Sequence, residues 1–454
     1  MAMEATKDMT EGKPWRLILF FALPLIAGNM MQQMYAFVDT FLVGRFLGVK
    51  ALAAVGCTGC LMFLMIGFVM GMTTGLAIKT GQAFGAKDEE GVRRSAAHCI
   101  VLSLAMAAGM TLFGLPLIRP VLALLDTPPE IFDDAVSFIS IICAGVPLMS
   151  LFAMQTNLIR ALGDSRIPTI MLSVGLVINI IFEPIFILGF GLGVPGAALA
   201  TAASQVLANL ICFFYIRRHI SPLWIRKEDW KLTKHELWAH AKIGYTMGFQ
   251  SSVVALGAII LQGALNGLGA QSIAAYAAAQ RVDAVAVMPM ISFGMAMTTY
   301  TAQNFGARRL SRIREGVRSC ILMSGTFSVL AAIFNILCGG FVIEGFVGAG
   351  EPEVIAMGRT FLVVNGLCYI VLSLLFIFRF TLQGLGQTVV PTFAGIMELL
   401  MRAVAAMFLI ERFGYLGACF ANPMAWVGAC VPLLIAYWIV RKTLHDAPSV
   451  AKVQ

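Results

Sequence analysis

Apolar positions in this chain neither alternate nor fall into narrow helical stripes; they run on in blocks. From Leu17 onward, stretches of roughly twenty or more apolar residues follow one another, separated by short polar connections. Read as helices, the blocks predict twelve spans: about 16–43, 50–80, 92–118, 134–158, 167–190, 194–216, 240–266, 271–303, 315–343, 354–382, 389–410 and 414–440. The connections carry chain breakers, among them Gly48, Gly163, Gly193, Gly269, Gly386 and Gly414. Residues 1–14 are polar, and no small-residue cleavage pattern interrupts the apolar run behind them. That run reads as a retained first helix and not as a removed leader.

Composition points the same way. Charged residues make up 12% of the 454, against roughly a quarter in ordinary soluble domains, hydrophobic residues reach 59%, and the mean hydropathy is +0.86. A water-soluble fold has no place to hide that much apolar surface, so the expected class is an all-α integral membrane protein with no sizeable soluble domain. The net charge of +8 does not argue for nucleic acid, because in such a chain the location of charge matters more than its sum. With the N-terminus inside, 24 of the 32 Lys and Arg fall in cytoplasmic segments, five fall outside, and three (Arg281, Arg379, Arg402) lie within spans. That bias places both termini in the cytoplasm, which requires an even number of spans. The ten Cys stand singly except for Cys57 and Cys60, which have no second pair and no His nearby, so packing is the expected role.

The chain also repeats itself. At a shift of 221 positions, residues 47–54 (LGVKALAA) meet 268–275 (LGAQSIAA), 82–86 (QAFGA) meet 303–307 (QNFGA), and 193–197 (GVPGA) meet 414–418 (GYLGA). At 223, residues 162–169 (LGDSRIPT) meet 385–392 (LGQTVVPT). Two six-helix lobes are therefore expected, 1–225 and 226–454, joined through the basic stretch 217–242. An even number of spans per lobe makes the repeats parallel. Duplicated transporters of this kind bind at the repeat interface, so a cavity lined by spans 1, 2, 7 and 8 and alternating access by rocking of the lobes are the expectation.

Acidic residues inside spans cost at least ~2.5–3.5 kcal/mol each on the insertion scale and call for a role. The first lobe has Asp39 in span 1 and Glu183 in span 5, with Asn179 one turn before Glu183 and Thr201 on the next helix. Counting ~1.5 Å per residue puts all of these at similar depth in the outer half of the membrane. Two carboxylates, an amide and a hydroxyl at one level make an oxygen-rich site for Na⁺ or for a shared proton. Both acids cannot be charged cheaply there; Na⁺ satisfies both and a proton neutralises one, so the two ions are expected to compete. The second lobe has Ile260 and Ala406 at the matching positions. Its own intramembrane charges are Arg281, Asp283, Arg379, Glu398 and Arg402. Glu398 and Arg402, four apart, read as an ion pair on a helix surface. Asp283 is a candidate second cation site. Methionines at 30, 31 and 34 and at 288, 290, 295 and 297 suit either a promiscuous cavity or plain packing.

Pro24, residues 32–35 (QQMY), Val38-Asp39-Thr40, the LGDSRIP segment, the N-x-x-x-acid-Pro stretch 179–184 and the run 193–201 (GVPGAALAT) together resemble the multidrug and toxic compound extrusion (MATE) transporters along nearly the whole chain. The resemblance implies twelve helices in two lobes forming a V, and export of cationic or amphipathic drugs against H⁺ or Na⁺. Carried over by motif, Asp39, Asn179, Glu183 and Thr201 form the first-lobe cation site, with the Ala197 carbonyl as a further ligand. Tyr35, with Gln33, Met34 and Asp283, is implied to line the substrate cavity. Glu183 stands where the family usually has Asp, and span 7 lacks the carboxylate of NorM-like members. Both departures point to a DinF-like or MepA-like branch. The extra methylene of Glu suits a rigid Na⁺ cage less well, which favours H⁺ as the coupling ion. A lipid-linked-sugar flippase of the same superfamily is the alternative, but it calls for extra helices and a strongly basic cavity. An embedded enzyme is not expected, since the five His sit at cytoplasmic ends or in the linker. No cofactor is expected beyond the coupling ion. The expected partners are small organic substrates and the bilayer, not nucleic acid, with a monomer as the working form.

Overall fold

The computed structural model describes residues 6–348 and 350–444. The chain is helical throughout, with no strand among the described residues: α1 Pro14–Cys57, α2 Gly59–Gly85, α3 Glu89–Leu124, α4 Pro129–Ala161, α5 Arg166–Pro184, α6 Gly193–His219, α7 Lys234–Asn266, α8 Ala270–Gly306, α9 Leu310–Val347, α10 Pro352–Leu367, α11 Tyr369–Gly384, α12 Val389–Val404, α13 Ile410–Phe413 and α14 Tyr415–Arg441. Short π-helical turns, Ile185–Gly189 and Ala405–Leu409, follow α5 and α12. Among the described residues eleven helices are long and apolar enough to cross a membrane, and the pair α10–α11 makes a twelfth. Large apolar side chains such as Leu112, Phe113, Leu337 and Phe341 stand about 70–80% exposed, a surface that only lipid can cover.

Two predicted spans differ in detail. The second, expected at 50–80, is entered through a turn at Gly48 (φ 84°, ψ −176°) and interrupted at Thr58. The tenth, expected as one helix over 354–382, bends by 50° at Cys368. No proline marks that break; side-chain bonds described below gather at it instead.

The chain divides into two compact units, but not at residue 225. Among the described residues, one takes in residues 6–7 together with Ala27–Gly248; the other takes in Asp8–Ile26 and those from Phe249 onward. The reason is packing. Met9, Leu17, Ile18, Phe21 and Leu25 are buried in the same core as Met290, Met297, Tyr300, Tyr369 and Trp426. The backbone N–H of Met9 donates to Gln303 Oε1 (2.9 Å), and Asn304 Nδ2 donates to the Met9 carbonyl (3.2 Å). At the other end, the start of α7 belongs with the first unit through close helix contact. A Cβ added to Gly75 of α2 would lie 2.9 Å from Gly244 Cα and 3.0 Å from the Ile243 carbonyl. Small residues are what allow helices in lipid to approach so closely.

Each unit repeats the other's internal topology. In the first, α3 packs on α2 and α4, and α6 on α4 and α5; in the second, α9 packs on α8, α10 and α11, and α14 on α10, α11 and α12. The backbone repeats as well. Gly48 and Gly269 turn at φ 84° and 90°, Lys87 and Arg308 at 59° and 57°, and Gly193 and Gly414 at 61° and 57°. Left-handed φ at two non-glycine positions 221 residues apart is hard to reach by chance.

Candidate ion-binding site

In the first unit, Asn179 and Glu183 lie one turn apart on α5, and both are buried. Pro184 follows directly, removing a backbone donor, and the π-helical turn begins at the next residue. Across from them, α6 presents Thr201. Its hydroxyl donates to the Ala197 carbonyl (3.2 Å), so it can only accept from Asn179 Nδ2 (3.2 Å) and from the Tyr35 hydroxyl of α1 (3.3 Å). Three bonds exhaust a hydroxyl. Thr201 in this arrangement orients Asn179 and Tyr35 and has no lone pair left for an ion. What remains is a set of acceptors. Asn179 Oδ1 and both carboxylate oxygens of Glu183 are buried with no hydrogen-bond partner. Asp39, half-buried on α1, lies within electrostatic reach of both Glu183 and Tyr35. Unmet buried acceptors are costly, and a proton or a metal cation is what satisfies them.

The second unit holds its acid differently. Asp283 Oδ1 accepts from the Tyr369 hydroxyl (2.6 Å) and from Asn365 Nδ2 (3.4 Å), while Asn335 Nδ2 donates to the Tyr369 hydroxyl (2.7 Å). Asn365 and Tyr369 flank the bend at Cys368. Further along the same helix pair, Arg379 Nη2 bonds Glu398 Oε1, and Arg402 Nη1 lies 3.5 Å from Glu398 Oε2. These three side chains are buried, so the pair read as lying on a helix surface is instead an interior Arg–Glu–Arg triad.

The MatE family model matches residues 24–185 and again 247–408, two copies offset by 223 positions and covering well over half the chain. The protein belongs to the MatE family. Its relatives include a probable multidrug resistance protein, YoeA, of Bacillus subtilis (strain 168), 28% identical over 95% of this chain and 94% of that one. Another is the multidrug export protein MepA of Staphylococcus aureus (strain RF122), 22% identical over 95% of each chain. Among solved structures, the fold matches the outward-facing conformation of a multidrug resistance MATE family transporter with a TM-score of 0.89 at 20% identity, over 98% of this chain and 99% of that one. The chain is thus a multi-pass membrane transporter of the MatE family and not an enzyme.

Set on the MatE frame, the residues named from sequence separate. Asn179, Glu183, Ala197, Thr201 and Tyr35 come together, with Asp39 beside them. Gln33 and Met34 are exposed side chains of α1. Asp283 belongs to the second unit and is enclosed by its own partners. Met288, Met290 and Met297 are buried, which makes them packing residues, whereas Met30 and Met34 are exposed. Cys57 donates to the Ala54 carbonyl (3.1 Å), Cys60 is exposed, and all ten Cys are free. Asn335, Asn365 and Tyr369 escaped the sequence reading. Asn335 and Asn365 carry a signal as amides within spans, but nothing in their spacing, or in that of Tyr369, ties them to Asp283.

Proposed function

We propose that the protein is a secondary antiporter that exports cationic or amphipathic organic compounds in exchange for H⁺ or Na⁺ by alternating access. The observation that carries this is the trio of unpartnered acceptor oxygens on Asn179 and Glu183 beside Asp39. The names of the relatives, multidrug resistance and multidrug export proteins, support the substrate class. Glu183 binds the coupling ion, Asn179 adds a neutral oxygen, Asp39 supplies the second charge, and Thr201 and Tyr35 hold Asn179 in place. A proton on Glu183 gives that side chain a donor of its own, and Asn179 Oδ1 is an acceptor one turn away. Na⁺ would draw on the same three oxygens, so the two ions compete, with H⁺ favoured by the longer Glu side chain. Each inward charge gains ~2.3 kcal/mol per 100 mV of membrane potential, which drives export when a chemical gradient is added. The protein resides in the bacterial inner membrane with both termini cytoplasmic and works as a monomer. The test is efflux of a fluorescent organic cation from sealed vesicles with Na⁺ and pH gradients imposed separately. Efflux that follows neither gradient removes the antiport reading. Efflux that needs Na⁺ and ignores pH removes the preference for H⁺.

A further inference from the structure

Among the described residues, the second unit buries four side chains that are charged at neutral pH: Asp283, Arg379, Glu398 and Arg402. Two positive and two negative groups balance only while Asp283 is ionised. Glu398 is shared by both arginines, and it does not saturate either. Arg379 Nε is buried with no hydrogen-bond partner; Arg402 Nη1 makes no hydrogen bond and meets Glu398 Oε2 only as an ion pair at 3.5 Å, and Arg402 Nε reaches Asn422 Oδ1 only at 3.4 Å. Arg402 packs closely on Gly257 of α7, where an added Cβ would come within 3.3 Å of its Cδ and Nη1, so this arginine needs a glycine beside it. The acid and the triad also belong to one polar network. Tyr276 lies within electrostatic reach of both Asp283 and Arg402, and Asn422 accepts from Arg402 Nε. On its other side Asp283 meets Asn365 of α10 and Tyr369 of α11, the latter bonded to Asn335 of α9. The Cys430 thiol is within reach of Arg379, and Arg281 is exposed.

We infer that Arg379 and Arg402 form a binding site for an anionic headgroup, a sulfonate, carboxylate or phosphodiester on an amphiphile, which fills when Asp283 is protonated. With Asp283 ionised, the buried charges cancel and an incoming anion would leave the interior net negative. With a proton on Asp283 the interior carries one excess positive charge in lipid, next to unused guanidinium N–H groups. An anion then restores neutrality and supplies the missing acceptors. Proton and anion therefore enter the second unit together. This goes beyond exchange at Glu183, because it needs no gradient and no part of the first unit.

The test is equilibrium binding of decanesulfonate, whose charge does not change with pH, to the full-length protein in phosphatidylcholine nanodiscs by titration calorimetry. Wild type should bind about tenfold tighter at acid than at mildly alkaline pH, the scale of one charge interaction removed at moderate distance. Asp283→Asn should bind tightly at both pH values. Arg402→Gln and Arg379→Gln should lose binding by about tenfold or more. Asp283→Asn moves affinity upward, so the proposal remains testable even where an arginine variant does not fold. Repeating the titration in phosphatidylglycerol nanodiscs separates the sources of the headgroup: weakened decanesulfonate binding identifies a lipid phosphodiester as the occupant, and unchanged binding identifies a free amphiphile. Affinity that ignores pH, Asp283→Asn and both arginine substitutions alike would overturn the site.

Discussion

Glu183→Gln changes one atom and one charge while keeping the shape of the side chain. A unit charge interacting with a cation at about 4 Å in an effective dielectric of about 20 is worth about 4 kcal/mol. The Gln carbonyl keeps one acceptor, worth about 1 kcal/mol, so the ion loses about 3 kcal/mol of binding. At ~1.4 kcal/mol per tenfold, ion affinity should fall roughly a hundredfold. The substitution also removes a buried carboxylate whose two oxygens have no partner, so folding should not suffer. The assay is efflux of a fluorescent cation from sealed vesicles under a Na⁺ or a pH gradient, with the melting temperature of the purified protein as a control. Slowed efflux on both gradients with an unchanged or higher melting temperature is the expected result. Glu183→Asp should keep transport and move its preference toward Na⁺. Wild-type rates for Glu183→Gln on either gradient would show that these oxygens do not hold the coupling ion.

Asp39→Asn should abolish efflux at normal expression, because Asp39 is the second charge at the Glu183 site; full transport would remove it from the mechanism. Gly75→Ala should lower the melting temperature in detergent, with a cost of about 1–3 kcal/mol, since its Cβ would press on Gly244 Cα at 2.9 Å. Asp229, buried beneath the connection between α6 and α7, accepts from the Arg226 N–H (2.7 Å) and from Arg93 Nε (3.2 Å). Asp229→Ala should loosen that connection, and limited trypsin digestion at Arg226 and Lys227 should speed up about tenfold, as loss of roughly 1.5 kcal/mol allows. A cysteine introduced at Ser221 should react with an impermeant thiol reagent only when the cytoplasmic face is open to it.

The spans, their number and the repeat were legible because lipid demands long apolar blocks and tolerates little else. Asn179 and Glu183 were legible too: an amide and an acid four apart on an apolar helix share one face and have no business there without a ligand. Where the chain parts into units was not. In a membrane protein the residues facing lipid and those facing the core are equally apolar, so nothing in Leu17–Leu25 says which core they fill. Arg379 was missed as the nearer partner of Glu398 because spacing reveals partners along one helix, and this one stands on α11 while Glu398 stands on α12. The bend at Cys368 was silent for a related reason. It coincides with bonds from Asn365 and Tyr369 to a carboxylate more than eighty residues away, and not with a proline.

The assignment of Asp8–Ile26 to the second unit bears on how such a chain arose. Neither half of the gene encodes a complete unit, since residues 226–454 alone would lack Met9, Leu17, Ile18, Phe21 and Leu25, and a cavity would open in the core they fill. The first half in turn would lack the start of α7, on whose Gly244 the Gly75 face of α2 rests. A single-copy ancestor built on this plan would have been an exchanged homodimer, each protomer lending the start of its first helix to the other. Fusion of two such copies would then have fixed the exchange within one polypeptide. Halves expressed as separate chains should accordingly be unstable alone and recover only when made together.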